Sequence, residues 1–570
     1  MKKALLSLTC SLGVLLTLVL CANAQEPETS IYESTAPLPS PTEIDRLVAP
    51  RLSELGIEPV LCSDAVFVRR GYLDVIGTLP TAEEARAFIE DPDTENKRAL
   101  LIDQLLERDE YADYWAMKWG DILRIKAEFP INLWPNAAQA YHRWVRTSIQ
   151  DGKPYDEFVR EMLTSSGSNF RVGPVNFYRA VQNKTPEGLA EATALTFMGS
   201  RIDSWPEDRA ASMAAFFSQV GYKPTSEWKE EVVFWDPFRS SENAGNAAPG
   251  QAVITTIDPP EEEAGEENAE EEPDAEPEEA AVPEQIVYPI TVVFPDGVEV
   301  QLTQDSDPRE VFADWLITSE NPWFTKIAAN RVWAWLIGTG VIHEPDDIRD
   351  DNPASNPELL AYLEQELIAS DYDLKHLYRL ILNSNTYQLS SLPKADIAEA
   401  EANFGSYKSR RLEAEVLIDA INSITGTTDL YTSPIPEPYT YIPKDQPAIA
   451  LADGSITSPF LMLFGRSARS TGMMNERNNN PVPAQWLHML NSSHIQTKLA
   501  AGPNLRTVFR PGRNWAEAVD ELYLTILSRY PTEEEQQIAA QYLRTTKNRN
   551  TAALDTAWVL INSPEFLYRH

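Results

Sequence analysis

The sequence predicts a mainly α protein, with two helical domains and, between them, an acidic disordered linker and a small β-hairpin. Three observations carry this reading. Apolar residues recur at three- and four-residue steps through most of the chain, the spacing of a buried helical face. Residues 258–284 hold fourteen acids and no Lys or Arg. The segment 286–302 alternates like two strands around an Asp-Gly turn. A chain of 570 residues, 43% hydrophobic with 14 Trp, 21 Tyr and 19 Phe, builds sizeable cores. Its length divides into about two to four domains.

Taken in order, residues 1–24 read as a signal peptide. Lys2 and Lys3 precede an apolar run from Ala4 to Leu20, and Ala22-Asn23-Ala24 supplies the small-residue cleavage pattern, with cleavage after Ala24. The expected location is therefore periplasmic or secreted. Lipid attachment at Cys21 ranks lower, because Leu20 stands where a small residue is wanted. No later run is apolar enough to span a membrane, so no transmembrane segment is expected after cleavage. Residues 25–41, rich in Pro, Ser, Thr and Glu, read as a flexible lead-in.

A first helical domain is expected over 42–238. It opens with Ile44, Leu47, Val48, Leu52 and Leu55 on one stripe, closed by Gly56. A second helix follows Ser63-Asp64, and Thr81-Ala82-Glu83-Glu84 reads as an N-cap with acids in the first turn. Helical spacing continues through 97–125, 137–150, 155–164, 186–199 and 207–220. Residues 239–285 form the acidic linker, which repels itself into extension and cannot bury a core. A hairpin over 286–302 turns at Pro295-Asp296-Gly297 and is too small to stand alone. The second helical domain, 303–570, shows apolar periodicity over 309–318, 323–337, 357–370, 374–382, 410–424, 483–490, 515–527, 532–544 and 551–561. Leu-Asn-Ser or Ile-Asn-Ser recurs at 382–384, 421–423, 490–492 and 561–563, near helix ends. It reads as a repeated C-cap in which Asn takes the left-handed conformation.

The 48 basic and 86 acidic residues leave a net charge of -38, most of it outside the acidic block. A phosphate-neutralising nucleic-acid binder is excluded on that balance. After signal removal Cys62 is the remaining cysteine, so an internal disulfide and a Cys-based zinc or iron–sulfur site are excluded. Cys62 itself reads as a packed residue. There is no Gly-x-Ser-x-Gly, phosphate loop or dinucleotide fingerprint. His488 and His494 stand six apart, without the spacing of a helical zinc pair.

Two groups of residues carry candidate chemistry. Asp346, Asp347, Asp350 and Asp351 sit in a short acidic loop that offers oxygen ligands to calcium, though without EF-hand spacing. The other reading of that loop is a solvated turn paired locally with Arg349. Arg410, Arg411, Arg466, Arg469 and Arg477, with Glu476, recur in the second half of an acidic protein. Guanidinium forks match carboxylates and sulfates, so these residues form a candidate ligand site for an anion. The other reading is mutual pairing, with Glu413, Glu415 and Glu476 as partners.

Several motifs together resemble a paired set of exported bacterial proteins, the domain-of-unknown-function families 1549 and 1553, described mainly from planctomycete-type bacteria beside cytochrome-like modules. Residues 69–81 (RRGYLDVIGTLPT), Trp115, Trp119 and Asp121, and 153–158 (KPYDEF) resemble the first family. Asp307-Pro308-Arg309, Asn321-Pro322-Trp323-Phe324, Asn330-Arg331-Val332-Trp333, 356–360 (NPELL), 372–377 (YDLKHL), Phe464-Gly465-Arg466, Glu476-Arg477 and 562–566 (NSPEF) resemble the second. The resemblance implies helical domains but no established reaction. Many members carry a haem-tethering Cys-x-x-Cys-His. The corresponding stretch here, 196–206, has neither Cys nor His, so covalent haem is not expected. Met473 and Asn475 stand where the family often has two further cysteines.

The resulting expectation is a non-enzymatic binding or assembly protein of the cell envelope, with an envelope protein or a glycan as partner. The alternative is a hydrolase acting on an anionic, sulfated or carboxylated, polysaccharide. No cofactor is expected, and calcium is the one metal ion the acidic loop admits.

Overall fold

The computed structural model describes residues 30–128, 133–239, 290–510 and 512–570. The predicted signal peptide and the acidic block fall outside them. Two helical parts lie on either side of residues 240–289. The first runs α1 (Glu43–Leu55), α2 (Asp64–Val75), α3 (Ala82–Glu90), α4 (Lys97–Leu106), α5 (Asp109–Ile122), α6 (Pro135–Gln150), α7 (Tyr155–Thr164), α8 (Asn176–Ala180), α9 (Pro186–Met198) and α10 (Glu207–Ala215). The second runs α11 (Pro308–Leu316), α12 (Phe324–Ile337), α13 (Pro357–Ala369), α14 (Leu374–Leu382), α15 (Ile397–Ala402), α16 (Ala414–Thr425) and α17 (Pro459–Leu463). It closes with α18 (Pro483–Asn491), α19 (Ser493–Ala501), α20 (Pro503–Val508), α21 (Trp515–Leu527), α22 (Glu533–Thr546), α23 (Arg549–Ile561) and α24 (Pro564–Leu567).

Helix boundaries follow local chemistry. Thr42 and Asp45 form a reciprocal capping box on α1, and Thr81 and Glu84 form one on α3. Gly56 and Gly426 end α1 and α16 at φ 67° and 71°, a conformation that costs other residues energy. The repeated Asn-Ser motif works differently from expectation. Asn383 and Asn562 cap their helices at φ -82° and -96°, not in the left-handed region. Their side-chain amides donate back to the carbonyls of Arg379 and Trp558. At two copies of the motif the serine N-caps the next helix, Ser492 for α19 and Ser563 for α24, whereas Asn422 and Ser423 lie within α16.

Among the described residues, three small sheets accompany the helices. Strands β4 (Ile290–Val293) and β5 (Glu299–Leu302) form the expected hairpin, with Gly297 at φ 92° in its turn. Phe294 stacks between Phe216 and Trp315 at 4.9 Å from each, which docks the hairpin on α10 and α11. A three-stranded sheet, β1 (Gly167–Ser168), β3 (Glu231–Trp235) and β2 (Val220–Pro224) in that order, was not expected. The helical spacing read through 207–220 stops at Ala215, after which buried Phe216 and Phe217 turn the chain into β2. Strand β6 (Arg410–Arg411) pairs antiparallel with β7 (Tyr568–Arg569). Here too a helix was expected from 410, and it begins at Ala414.

One hydrophobic core runs through both helical parts. Trp115 of α5 packs on Trp335 of α12 at 5.5 Å and on Tyr378 of α14 at 4.2 Å. Tyr155 of α7 stacks on Phe324 of α12 at 5.0 Å. Each such pair adds about 0.5–1.5 kcal/mol beyond the area it buries. Arginines stitch the same boundary through backbone carbonyls. Arg69 donates to Ile526 and Phe566, and Arg70 to Tyr387 and Leu389. The lead-in is tied down as well, with Ser63 N donating to the Tyr32 carbonyl and Ser34 N to that of Leu61. Cys62 is fully buried beneath this contact.

Candidate functional site

The polar centre of the molecule forms where the two helical parts meet. On α5, Tyr114, Lys118 and Asp121 follow at four- and three-residue steps and so share one face. That face meets β6, whose pairing sets Arg410 opposite Arg569. The chain leaves β6 through Glu413 and enters α16 with Glu415 in its first turn, where the helix dipole favours carboxylates. The loop after α17 adds Arg466, Arg469 and Arg477.

These groups interlock as a lattice of ion pairs. Asp121 accepts from Arg469 Nε at 3.0 Å and from Arg477 Nε and Nη2 at 2.9 and 2.7 Å. Glu415 accepts from Arg477 Nη1 at 2.6 Å and from Arg466 Nε at 3.1 Å. Glu413 accepts from both Lys118 and Arg569. Arg569 also donates to Asp74 at 3.0 Å and to Tyr114 Oη at 3.1 Å. Arg410 donates to the carbonyls of Trp335 and Leu336 at the end of α12, 2.7 and 2.8 Å away, a favourable place for a cation. Arg411 donates to the carbonyls of Asn479 and Phe464 at 3.1 and 2.7 Å.

Beside the lattice lies a cavity of about 200 Å³. Its charged lining is Lys118, Arg410, Arg411, Arg477 and Arg569 against Asp121 and Glu413, and its uncharged wall includes Trp335, Met474 and Asn479. Burial lowers Lys118 to about 8 even though Glu413 opposes it. Burial pushes Glu413 upward, but Arg569 and Lys118 outweigh it and hold the carboxyl well below the usual range. Glu415 is likewise raised by burial and depressed further by Arg477 and Arg466.

The structure divides the arginine group expected from sequence. Arg410, Arg411 and Arg477 line the cavity. Arg466 and Arg469 do not; they are spent on Glu415 and Asp121. Glu476 joins neither and pairs with none of these arginines. It closes its own loop by accepting from Ser470 N at 2.9 Å and from Thr471 N at 3.0 Å. Lys118, Asp121 and Arg569 were missed as site residues. The signal available was a Lys and an Asp placed on the face of α5 that also carries Trp115 and Ile122, all of them buried.

The acidic loop is drawn apart by arginines. Asp346 is buried against Arg331 at 2.6 Å and accepts Met474 N at the same distance. Asp347 and Asp351 flank Arg349 at 3.2 and 3.4 Å, and Asp350 is exposed. Among the described residues no three His, Cys, Asp or Glu side chains are grouped to hold a metal ion. The stretch beginning at Thr196 and the loop 471–475 do converge. Arg124 bridges Thr196 Oγ1 and the Thr471 carbonyl, and Arg331 reaches the carbonyls of Leu195 and Thr196.

A second titratable group sits beyond α16. Asp419, one turn after Glu415, accepts from the amides of Ala448 and Ile449 at 2.8 and 3.0 Å. Burial raises it to about 7 against those two hydrogen bonds. Nearby His488 Nε2 and His494 Nδ1 are 3.3 Å apart, and His494 Nε2 is 3.3 Å from Asp429. These groups do not line the cavity.

Comparison with known families adds the following. The model of a protein of unknown function, DUF1549 (PSCyt2), matches residues 43–221. That of a second protein of unknown function, DUF1553 (PSD1), matches residues 308–543. Among curated proteins and solved structures, nothing matches the chain. The two matches bracket the undescribed stretch 240–289, and Asp121 and Arg469, one in each, meet at the polar centre. The chain therefore belongs to the family of proteins that pair a DUF1549 (PSCyt2) domain with a DUF1553 (PSD1) domain.

Proposed function

We propose that this chain is a non-enzymatic binding or assembly protein of the cell envelope, exported through its N-terminal signal. One observation carries the reading. Asp121, Glu413 and Glu415 and the cations that face them, Arg466, Arg469, Arg477 and Arg569, are consumed in buried mutual pairs, and the pairs of Asp121 with Arg469 and Arg477 join the two family domains. A catalytic carboxylate has to reach its substrate, and Glu413 and Glu415 are held ionised by two cations each. The cavity beside them, at about 200 Å³, is below the roughly 300–1,000 Å³ of pockets that take drug-sized ligands. It suits one small group and not a segment of polysaccharide.

The test pairs binding with turnover on the purified mature chain. Neutral, carboxylated and sulfated saccharides are screened for a rise in melting temperature, which reports native-state binding by mass action. The same samples are followed for new reducing ends and released sulfate. Binding without time-dependent product is the expected result. Product beyond one equivalent per chain would sink the proposal. Export is checked by fractionation and by finding Gln25 at the mature N-terminus.

A hydrolase acting on an anionic polysaccharide is the second reading. The raised carboxyl of Asp419, close to the His488–His494–Asp429 chain, favours it. Turnover lost in Asp419→Asn with binding retained would establish it.

A further inference from the structure

The cavity at the domain junction carries an uncompensated positive charge. Five cations and two carboxylates line it, an excess of three. Following each ion pair outward does not remove the excess. Asp74 and Glu415 join from behind, but Arg466 and Arg469 join with them. Such an excess is not a reflection of composition, since the chain as a whole carries -38. Ions removed from water without counter-charge cost several kcal/mol each, so an excess of this kind persists where something negative enters.

The donors needed to receive an anion are present. Arg411 is 5% exposed, and among the described residues no carboxylate lies within ion-pair distance of it; its partners are carbonyls. Arg569 is 2% exposed and keeps an Nε–H without an acceptor, as does Arg410. Lys118 has three N–H bonds and is given one acceptor, Glu413. Guanidinium forks arranged around one volume match the oxygens of a carboxylate, sulfate or phosphate.

We propose that this junction cavity is a binding site for one small oxyanionic group, a sulfate, phosphate or carboxylate, either free or at the end of a larger molecule. The proposal rests on the binding-protein reading and names the ligand chemistry of its site. A long polyanion fits less well. Most of it would lie outside the cavity, against a chain whose net charge is -38, whereas a single group needs only the cationic lining.

The experiment is calorimetric titration of the mature chain with sodium sulfate, phosphate, acetate, a sulfated monosaccharide and a uronate, at ionic strength fixed with chloride. Saturable binding of at least one oxyanion, weakened tenfold or more in Arg411→Gln and unchanged in Arg506→Gln on the exposed side of α20, is expected. Arg411→Gln orphans no carboxylate but removes donors from the carbonyls of Asn479, Leu412, Phe464 and Asn478, so circular dichroism checks that the fold is kept. Tighter binding of the sugar-borne group assigns a glycan terminus, and tighter binding of the free ion assigns a free anion; both support the site. No binding above the chloride blank, or equal binding by wild type and Arg411→Gln, overturns it. Should Arg411→Gln misfold, selenate soaked into wild-type crystals decides by its anomalous peak. A peak in the cavity supports the site, and peaks only elsewhere overturn it. Failure here leaves the turnover assay of the preceding section unaffected, so the two ideas fail separately.

Discussion

Replacing Asp121 by Asn tests whether the two family domains are held by charge. The substitution keeps shape and removes one negative charge from the centre of the lattice. Arg477 loses two hydrogen bonds but keeps Glu415 at 2.6 Å. Arg469, with a fully buried side chain, loses its carboxylate and keeps the carbonyls of Ile125, Ala452 and Met117. Breaking a buried pair from one side costs about 3–5 kcal/mol, and the surviving partners place this case near 3. That is a large share of a typical stability of about 5–15 kcal/mol. Urea unfolding followed by Trp fluorescence measures it, with Arg469→Met and the double variant closing the cycle. The double variant should recover part of the loss, because it no longer strands a buried cation. A loss under about 1 kcal/mol, the value of a solvent-exposed pair, would refute the lattice as a clamp.

Other outcomes follow from the same geometry. Glu413 and Glu415 are depressed below their ordinary value of 4.5, so the stability they contribute is fully present above that pH and is lost as pH falls below it. The urea midpoint should therefore drop between neutral pH and pH 3, and Glu415→Gln should flatten the slope; an unchanged slope would speak against the pairing. Lys118, lowered to about 8, should lose its proton as pH rises through that value, so sulfate affinity measured by calorimetry should fall between pH 7 and 9. A flat profile would show that Lys118 does not serve the cavity. The ligand-free chain should gain stability from the same residue between about pH 8 and its ordinary 10.5, where only the unfolded state keeps the proton. Cys62, fully buried, should resist thiol reagents in the native chain and react fully in denaturant; rapid native labelling would contradict its packing.

Local chemistry was legible in the sequence wherever it was self-contained. Thr81 with Glu84 announced the start of α3, Gly56 the end of α1, and Pro295-Asp296-Gly297 the hairpin turn, because each signal and its consequence lie within a few residues. The β2–β3 hairpin was hidden because Met213, Ala214, Phe216 and Phe217 keep a helix-like spacing past the true helix end. The site was legible in part. Arg410, Arg411 and Arg477 stood out as basic residues in an acidic chain, and Glu415 was foreseen as a pairing partner. Asp121 lies 348 residues from Arg469, and Arg569 lies 156 from Glu413, so no local pattern links them. Glu476 was misjudged because a carboxylate beside an arginine in sequence suggests a shared role, whereas the loop turns its carboxyl onto its own amides.

The lattice across the junction has a consequence for inheritance and for engineering. A half taken alone would present a buried-type cation or carboxylate to water with nothing opposite, and would also expose the Trp115–Trp335 contact face. The two domains are thus one unit of exchange. A chimera that borrows the PSCyt2 part from one relative and the PSD1 part from another should assemble only when Asp121 arrives with the arginines it answers, much as a key arrives with its lock.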